Sequence, residues 1–287
     1  MAYQKVFKRY ELKYMLTGEQ KDRVVKALQP YMSMDKYGRT TIRNIYFDTP
    51  DYILARHSIA KPDFKEKLRV RTYSQVLSDE NVFVELKRKF DHVVYKRRVS
   101  IPEKAAMEWT SGAKAYGHSD RNTNQLCSEI NYFLDYYKDL QPVMFLSYER
   151  EAYKMNPGLD DQDFRVTFDE NILCRDHDLS LKSGVYGTPI LDDGKVLMEL
   201  KCSGGIPLWM VKILSEEKLY KTSFSKYGTA YTGLVLPELT AGSAEAVRER
   251  TSAAETKRSS AKSRRKTHRT HRLPHWAGFA AVAGKTA

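Results

Sequence analysis

The segment Asn81-Val82-Phe83-Val84-Glu85-Leu86-Lys87-Arg88-Lys89-Phe90 decides how the chain is read. As a strand it sends side chains alternately to two faces. Val82, Val84, Leu86 and Phe90 then share one side, interrupted only by Arg88, while Glu85, Lys87 and Lys89 share the other. One strand with a charged face is ordinary on a half-solvated antiparallel sheet. Its Glu-Leu-Lys core recurs at 11–13 and 199–201, and the recurrence makes it informative.

Other segments carry the same arrangement. Lys67 to Tyr73 sends Lys67, Arg69 and Arg71 one way and Leu68 and Val70 the other. Val93 to Ile101 places Lys96 and Arg98 beside Val94, with Arg97 among Val93, Tyr95 and Val99. Phe7 to Leu16 sets Arg9, Glu11 and Lys13 against Tyr10, Leu12 and Tyr14. Thr40 to Phe47 puts Arg43 with Thr41, Ile45 and Phe47 and closes at the turn signal Asp48-Thr49-Pro50-Asp51. Val143 to Tyr153 carries Arg150, and Phe164 to Asp169 opposes Arg165, Thr167 and Asp169 to an apolar face. Lys195 to Cys202 sets Glu199 and Lys201 opposite Met198, Leu200 and Cys202.

Between these strands lie helices. Thr17-Gly18-Glu19-Gln20 has the form of a capping box, and the helix after it carries Val24, Val25 and Leu28 before stopping ahead of Pro30. Pro102 to Lys114 and Gln125 to Leu140 read as helices, the second with Leu126, Ile130, Phe133, Leu134 and Tyr137 on one stripe. Pro207 opens a short helix through Leu219, and a helical turn follows Ser223-Phe224-Ser225-Lys226-Tyr227.

The 287 residues are 41% hydrophobic and 11% aromatic, which suits a globular protein with an ample core. The formal charge of +12 is uneven: residues 241–287 hold eleven Lys and Arg against three Glu, leaving the rest only mildly basic. The reading is therefore a folded domain over 1–238 and a basic, disordered tail over 239–287. His268, His271 and His275 read as part of that solvated tail rather than as a metal tract. Three sparse cysteines and a polar start point to the cytosol. No apolar run reaches the roughly 18–20 residues of a spanning helix, so any membrane association would come through a partner.

Eight or so such strands with surrounding helices predict an α+β fold built on an antiparallel β-barrel. If the strands close, the charged faces share one interior. Unpaired Lys and Arg cannot stay dry, so that interior must be a wet tunnel holding an anion. Planar Arg and long Lys side chains suit the oxygens of phosphate, and interleaved glutamates would hold a divalent cation beside it. The competing reading is an open sheet with solvated faces and weak cross-strand ion pairs. Seven similar strands favour the tunnel. No nucleotide-binding glycine loop or nucleophile elbow is present, and the tail lacks the aromatic ladder of a nucleic-acid binder, so no specific nucleic acid is expected.

The ordered series Tyr-Glu-Leu-Lys-Tyr (10–14), Tyr-Phe-Asp-Thr-Pro (46–50), Lys-Leu-Arg-Val-Arg (67–71), Phe-Val-Glu-Leu-Lys (83–87), Tyr-Glu-Arg (148–150), Phe-Arg-Val-Thr-Phe-Asp (164–169), Met-Glu-Leu-Lys (198–201) and Phe-Ser-Lys-Tyr (224–227) resembles the VTC domain. That is the catalytic domain of the vacuolar transporter chaperone polyphosphate polymerase, within the triphosphate tunnel metalloenzymes. The resemblance covers about residues 3–235. It implies transfer of the ATP γ-phosphate to polyphosphate, with Mn²⁺ or Mg²⁺ as cofactor. By position, Lys87, Arg150 and Arg165 are the implied catalytic residues and Glu199 the implied metal ligand. Lys13, Arg69, Arg71, Lys96, Arg98, Lys201 and Lys226 are the implied substrate ligands. Arg43 and Glu85 are further candidates. The implied partners are ATP, polyphosphate and a membrane protein that takes the product. Hydrolytic tunnel enzymes begin with Glu-x-Glu-x-Lys, whereas Arg9 stands at the first Glu here. That departure tilts the reading toward a polymerase over a triphosphatase or a non-catalytic polyphosphate binder.

Overall fold

In the computed structural model the backbone is described for residues 6–241 and the side chains for 10–241, His92 and Asp161 excepted in both. The elements below lie in the unit Met1–Leu236. Of the expected tail, residues 242–287 lie outside the described residues, as does the side chain of Arg9.

Eight strands form the frame: β1 Val6–Thr17, β2 Thr40–Asp48, β3 Phe64–Thr72, β4 Asn81–Phe90, β5 Val93–Pro102, β6 Gln141–Met155, β7 Arg165–Arg175 and β8 Lys195–Cys202. All their pairings are antiparallel, in the order β6-β2-β3-β4-β5-β1-β8-β7, and β7 pairs back onto β6. The circuit of hydrogen bonding is thus complete. It is thinnest between β1 and β5, where pairing runs over Val6 to Arg9 only. Short strands at Met32–Met34, Thr188–Pro189 and Lys221–Thr222 pair along β6, β7 and β1.

The barrel keeps most of its hydrophobic core outside; one cluster, with Ile42, Tyr46, Tyr148 and Tyr227, reaches the interior. On β4, Val82, Val84 and Leu86 are fully buried in a cluster with Ala106, Trp109, Leu126, Ile130 and Phe133. Those partners come from α3 (Glu103–Thr110) and α4 (Arg121–Tyr136), which cover that face. Phe90, at the strand end, is exposed instead. Arg88, the interruption in the apolar face, sends Nε to Glu66 at 2.5 Å and Nη1 to Glu129 on α4 at 3.5 Å. Arg97, outward on β5, reaches Glu129 at 2.8 Å. A second cluster joins Val24 and Leu28 of α1 (Gly18–Leu28) to Val166, Phe168, Met198 and Leu200, with Met210 of α5 (Leu208–Glu216). Cys127, Cys174 and Cys202 are all buried and free.

Several expected boundaries shift. α3 is shorter than Pro102–Lys114, and α4 begins at Arg121 because Asp120 caps it by accepting from the Thr123 amide at 2.9 Å. β7 runs past Asp169 to Arg175, crossing Asn171 at φ 48°. The helix α2 (Ile53–Ala60) was not expected, since eight residues carry no clear stripe. It is started by the buried Asp48 carboxylate, which accepts from the Leu54 and Ala55 amides at 2.9 and 2.8 Å. The short α6 (Lys226–Ala230), capped by Ser225, runs into a π-helical turn at Tyr231–Val235. Among the described residues no helix is long and apolar enough to cross a membrane.

The capping box on α1 forms as the sequence requires: the Gln20 amide donates to Thr17 Oγ1 at 3.2 Å, and the Thr17 amide donates to Gln20 Oε1 at 3.0 Å. Thr17→Ala should therefore lower stability by about 1 kcal/mol, read from urea denaturation midpoints. An unchanged midpoint would mean that α1 is held by packing alone.

Candidate functional site: a cation-lined tunnel

Because the apolar faces point outward to the helices, the opposite faces share the interior. They enclose a cavity of about 1390 Å³ lined by sixteen Lys and Arg but only four carboxylates. All eleven sequence-derived site residues reach it: Lys13, Arg69, Arg71, Lys87, Lys96, Arg98, Arg150, Arg165, Glu199, Lys201 and Lys226. Arg43 does not. On β2 the cavity takes Thr40, Ile42 and Tyr46, so the odd-numbered face bearing Arg43 is the outer one. That candidate is corrected by the alternation of its own strand.

Two carboxylates organise the cations. Glu85 is fully buried and gathers Arg69 Nη2 at 2.8 Å, Lys96 Nζ at 2.8 Å, Arg98 Nε at 2.7 Å and Arg71 Nε at 3.8 Å. Register explains the cluster: Arg69 and Arg98 stand directly opposite Glu85 on β3 and β5. Burial alone would raise its pKa, but Lys96, Arg71, Arg69 and Arg98 together hold it well below the usual carboxylate range. Glu199 is the second centre, with Lys201 at 2.9 Å, Arg150 at 3.3 Å, and Lys13 and Lys226 both at 3.4 Å. Again burial is the largest influence and raises the pKa, while these four cations bring it well below normal.

Two further carboxylates pair with these cations, Glu11 within the cavity lining and Asp169, like Glu85, buried outside it. Asp169 binds Arg150 in a fork at 2.5 and 2.6 Å and receives Lys226 at 2.5 Å. Glu11 takes Lys87 at 2.6 Å and is held down to about 2, the lowering by Lys87 and Lys201 outweighing its burial. Burial brings Lys201 down to about 8, opposed by Glu199. Arg165 lies more openly, paired with Asp35 at 3.3 Å.

Some members of the site escaped the sequence reading. Tyr46, Tyr148 and Tyr73 accept from Arg69, Arg71 and Arg98 at 2.9, 2.7 and 2.8 Å, and Asn44 accepts from Arg71 at 2.8 Å. These acceptors fix the guanidinium planes. Lys67 shares the face of Arg69 and Arg71 and lines the cavity, a place its alternation alone could have given it.

Among the described residues no group of three or more His, Cys, Asp or Glu stands ready to hold a metal ion. Glu199, the implied metal ligand, has its oxygens met by Lys13, Arg150, Lys201 and Lys226. A hard divalent ion could share the Glu199 carboxylate with phosphate oxygens and water, as Mg²⁺ commonly does.

A barrel with its apolar faces outside and cations within defines the class of triphosphate tunnel proteins. The chain belongs to the VTC-domain family, whose model matches residues 8–235. That is a family of tunnel-fold proteins of nucleotide and polyphosphate chemistry. No curated protein matches the sequence. Similar solved structures include a candidate adenylate cyclase from Bacillus halodurans, 14% identical, TM-score 0.45, covering 77% of this chain and 96% of that one. Another from Vibrio parahaemolyticus is 11% identical, TM-score 0.37, covering 78% and 96%.

Removing the negative centre while leaving its cations should be severe. Glu85→Gln should cost about 3–5 kcal/mol in chemical denaturation, the range for breaking one side of a buried ion pair. A loss under about 1 kcal/mol would show that solvent already screens this cluster.

Proposed function

We propose that the protein is a phosphotransferase that moves the ATP γ-phosphate onto a polyphosphate chain held in the tunnel. The observation that carries this reading is the charge of the cavity, sixteen cations to four lining carboxylates, a surplus that persists when Glu85 and Asp169, buried outside the lining, are added. Only a multiply charged anion balances such an interior, and triphosphate and polyphosphate are anions of that kind. Arg69, Arg71 and Lys87 would grip the phosphates from β3 and β4, while Arg150, Lys201 and Lys226 would act from the Glu199 side. Tyr46, Tyr148 and Asn44 pre-set two of the guanidinium groups, so little reorganisation is needed when charge develops.

The choice of acceptor follows from the carboxylates. A general base working near neutral pH needs a pKa near that pH. Glu11 lies at about 2, and Glu85, Asp169 and Glu199 are all held below their ordinary values by neighbouring cations. Such groups are poor at activating water. A terminal phosphate of polyphosphate is already anionic and needs only positioning and charge neutralisation. Mn²⁺ or Mg²⁺ held between Glu199 and the phosphates would supply further neutralisation of the transferring group. A membrane protein that receives the product belongs to the same proposal.

Incubation of the full chain with ATP and Mg²⁺ or Mn²⁺ should yield long-chain polyphosphate, resolved by gel electrophoresis. Lys87→Ala should lower the rate on the order of 10²-fold, as for loss of one preorganised charge donor. Free phosphate as the sole product would instead make the protein a tunnel triphosphatase. Tight polyphosphate binding without turnover would make it a binding module.

A further inference from the structure

Two successive cross-strand positions in the tunnel pair like charges. In the β3–β4 register Lys67 stands opposite Lys87, and Lys65 opposite Lys89. Directly opposed like charges destabilise a sheet unless something intervenes. Lys87 has its own carboxylate in Glu11. Lys67 does not: among the described residues its Nζ meets no carboxylate and donates to Ser225 Oγ at 2.8 Å. Burial lowers its pKa well below the usual lysine value, and Lys13, Lys87, Lys65 and Arg69 push the same way. Lys65 is likewise lowered by burial and by Lys89, Lys61, Lys13 and Lys87. Keeping a half-buried ammonium among cations is costly, and among the described residues it forms no ion pair to offset that cost.

Position narrows the purpose. Lys67 lies one two-residue step, about 7 Å, along β3 from Arg69 and on the side away from Arg71. A further step reaches Lys65, and both side chains open on the cavity. The cations therefore continue at a regular spacing beyond the Glu85 cluster, without the carboxylates that accompany Arg69 and Arg71.

We propose that Lys67 is a further phosphoryl subsite, holding units of linear polyphosphate that extend past the Arg69–Arg71 set toward Lys65 and Lys89. The ligand class follows from the repeat: evenly spaced, uncompensated ammonium groups suit an anion of evenly spaced charge. Ser225 Oγ supplies the oxygen acceptor for Lys67 in the free protein, and a phosphoryl oxygen would take its place. This inference rests on the polyphosphate reading above.

The test uses the full chain, calorimetric titration at fixed salt, and two probes, inorganic tripolyphosphate and long-chain polyphosphate. Lys67→Gln should weaken long-chain binding about tenfold, the scale of one charge-assisted hydrogen bond, and alter tripolyphosphate binding by less than about twofold. It should also raise the Tm of the ligand-free protein, because a half-buried charge set opposite Lys87 is gone. Lys67→Arg should keep the long-chain affinity. Unchanged long-chain affinity in Lys67→Gln, or equal losses for both probes, would overturn the subsite. A lowered ligand-free Tm would also overturn it by making Lys67 a structural residue. Failure of the unaltered protein to bind long-chain polyphosphate would instead sink the functional reading beneath it.

Discussion

The structure depends on two buried carboxylates, each holding four cations inside a barrel. Glu85 gathers Arg69, Arg71, Lys96 and Arg98, and Glu199 gathers Lys13, Arg150, Lys201 and Lys226. Isolated charges in such a place would be forced to neutralise or to expel the strands that bear them. Register prevents this by setting Glu85 between Arg69 and Arg98, and Glu199 opposite Lys13. The ion clusters thus tie together strands whose hydrophobic faces look the other way. With most apolar contacts committed to the outer helices, the interior is held by these ion clusters together with the packing of Ile42, Tyr46, Tyr148 and Tyr227.

Those same pairs leave a surplus. Eight cations share two carboxylates, with Asp169 relieving Arg150 and Lys226, while Glu11 pairs with a ninth, Lys87. What stays uncompensated is the attraction for a ligand. Each carboxylate, in stabilising its neighbours, gives up its own basicity, which on the proposed reading favours anion binding over water activation. Arg9, in place of a first tunnel glutamate, fits the same preference at the level of sequence.

Much of this was legible because strand alternation is local. Phe83 to Lys87 announces one apolar and one charged face whatever surrounds it, and its β-pairing supplied only the partners. The Thr17–Gln20 cap was equally local. What stayed hidden depends on contacts across the chain. α2 needs the Asp48 carboxylate to start it, and Asp48 is itself fixed by Tyr227 OH at 2.6 Å from far along the sequence. The tyrosines that orient Arg69 and Arg71 read simply as strand aromatics. Arg43 misled because a lone Arg on an alternating strand does not say which face is interior. Lys67 was visible beside Arg69, but its lack of a carboxylate appears only when β4 and α6 are in place.

The most direct measurement is a crystal structure of the chain with a non-hydrolysable ATP analogue and Mg²⁺. The triphosphate should lie inside the barrel, in contact with Arg69, Arg71, Lys87 and Arg150, with the Glu85 cluster intact behind it. A nucleotide bound outside the barrel, with the tunnel cations still paired only among themselves, would contradict it.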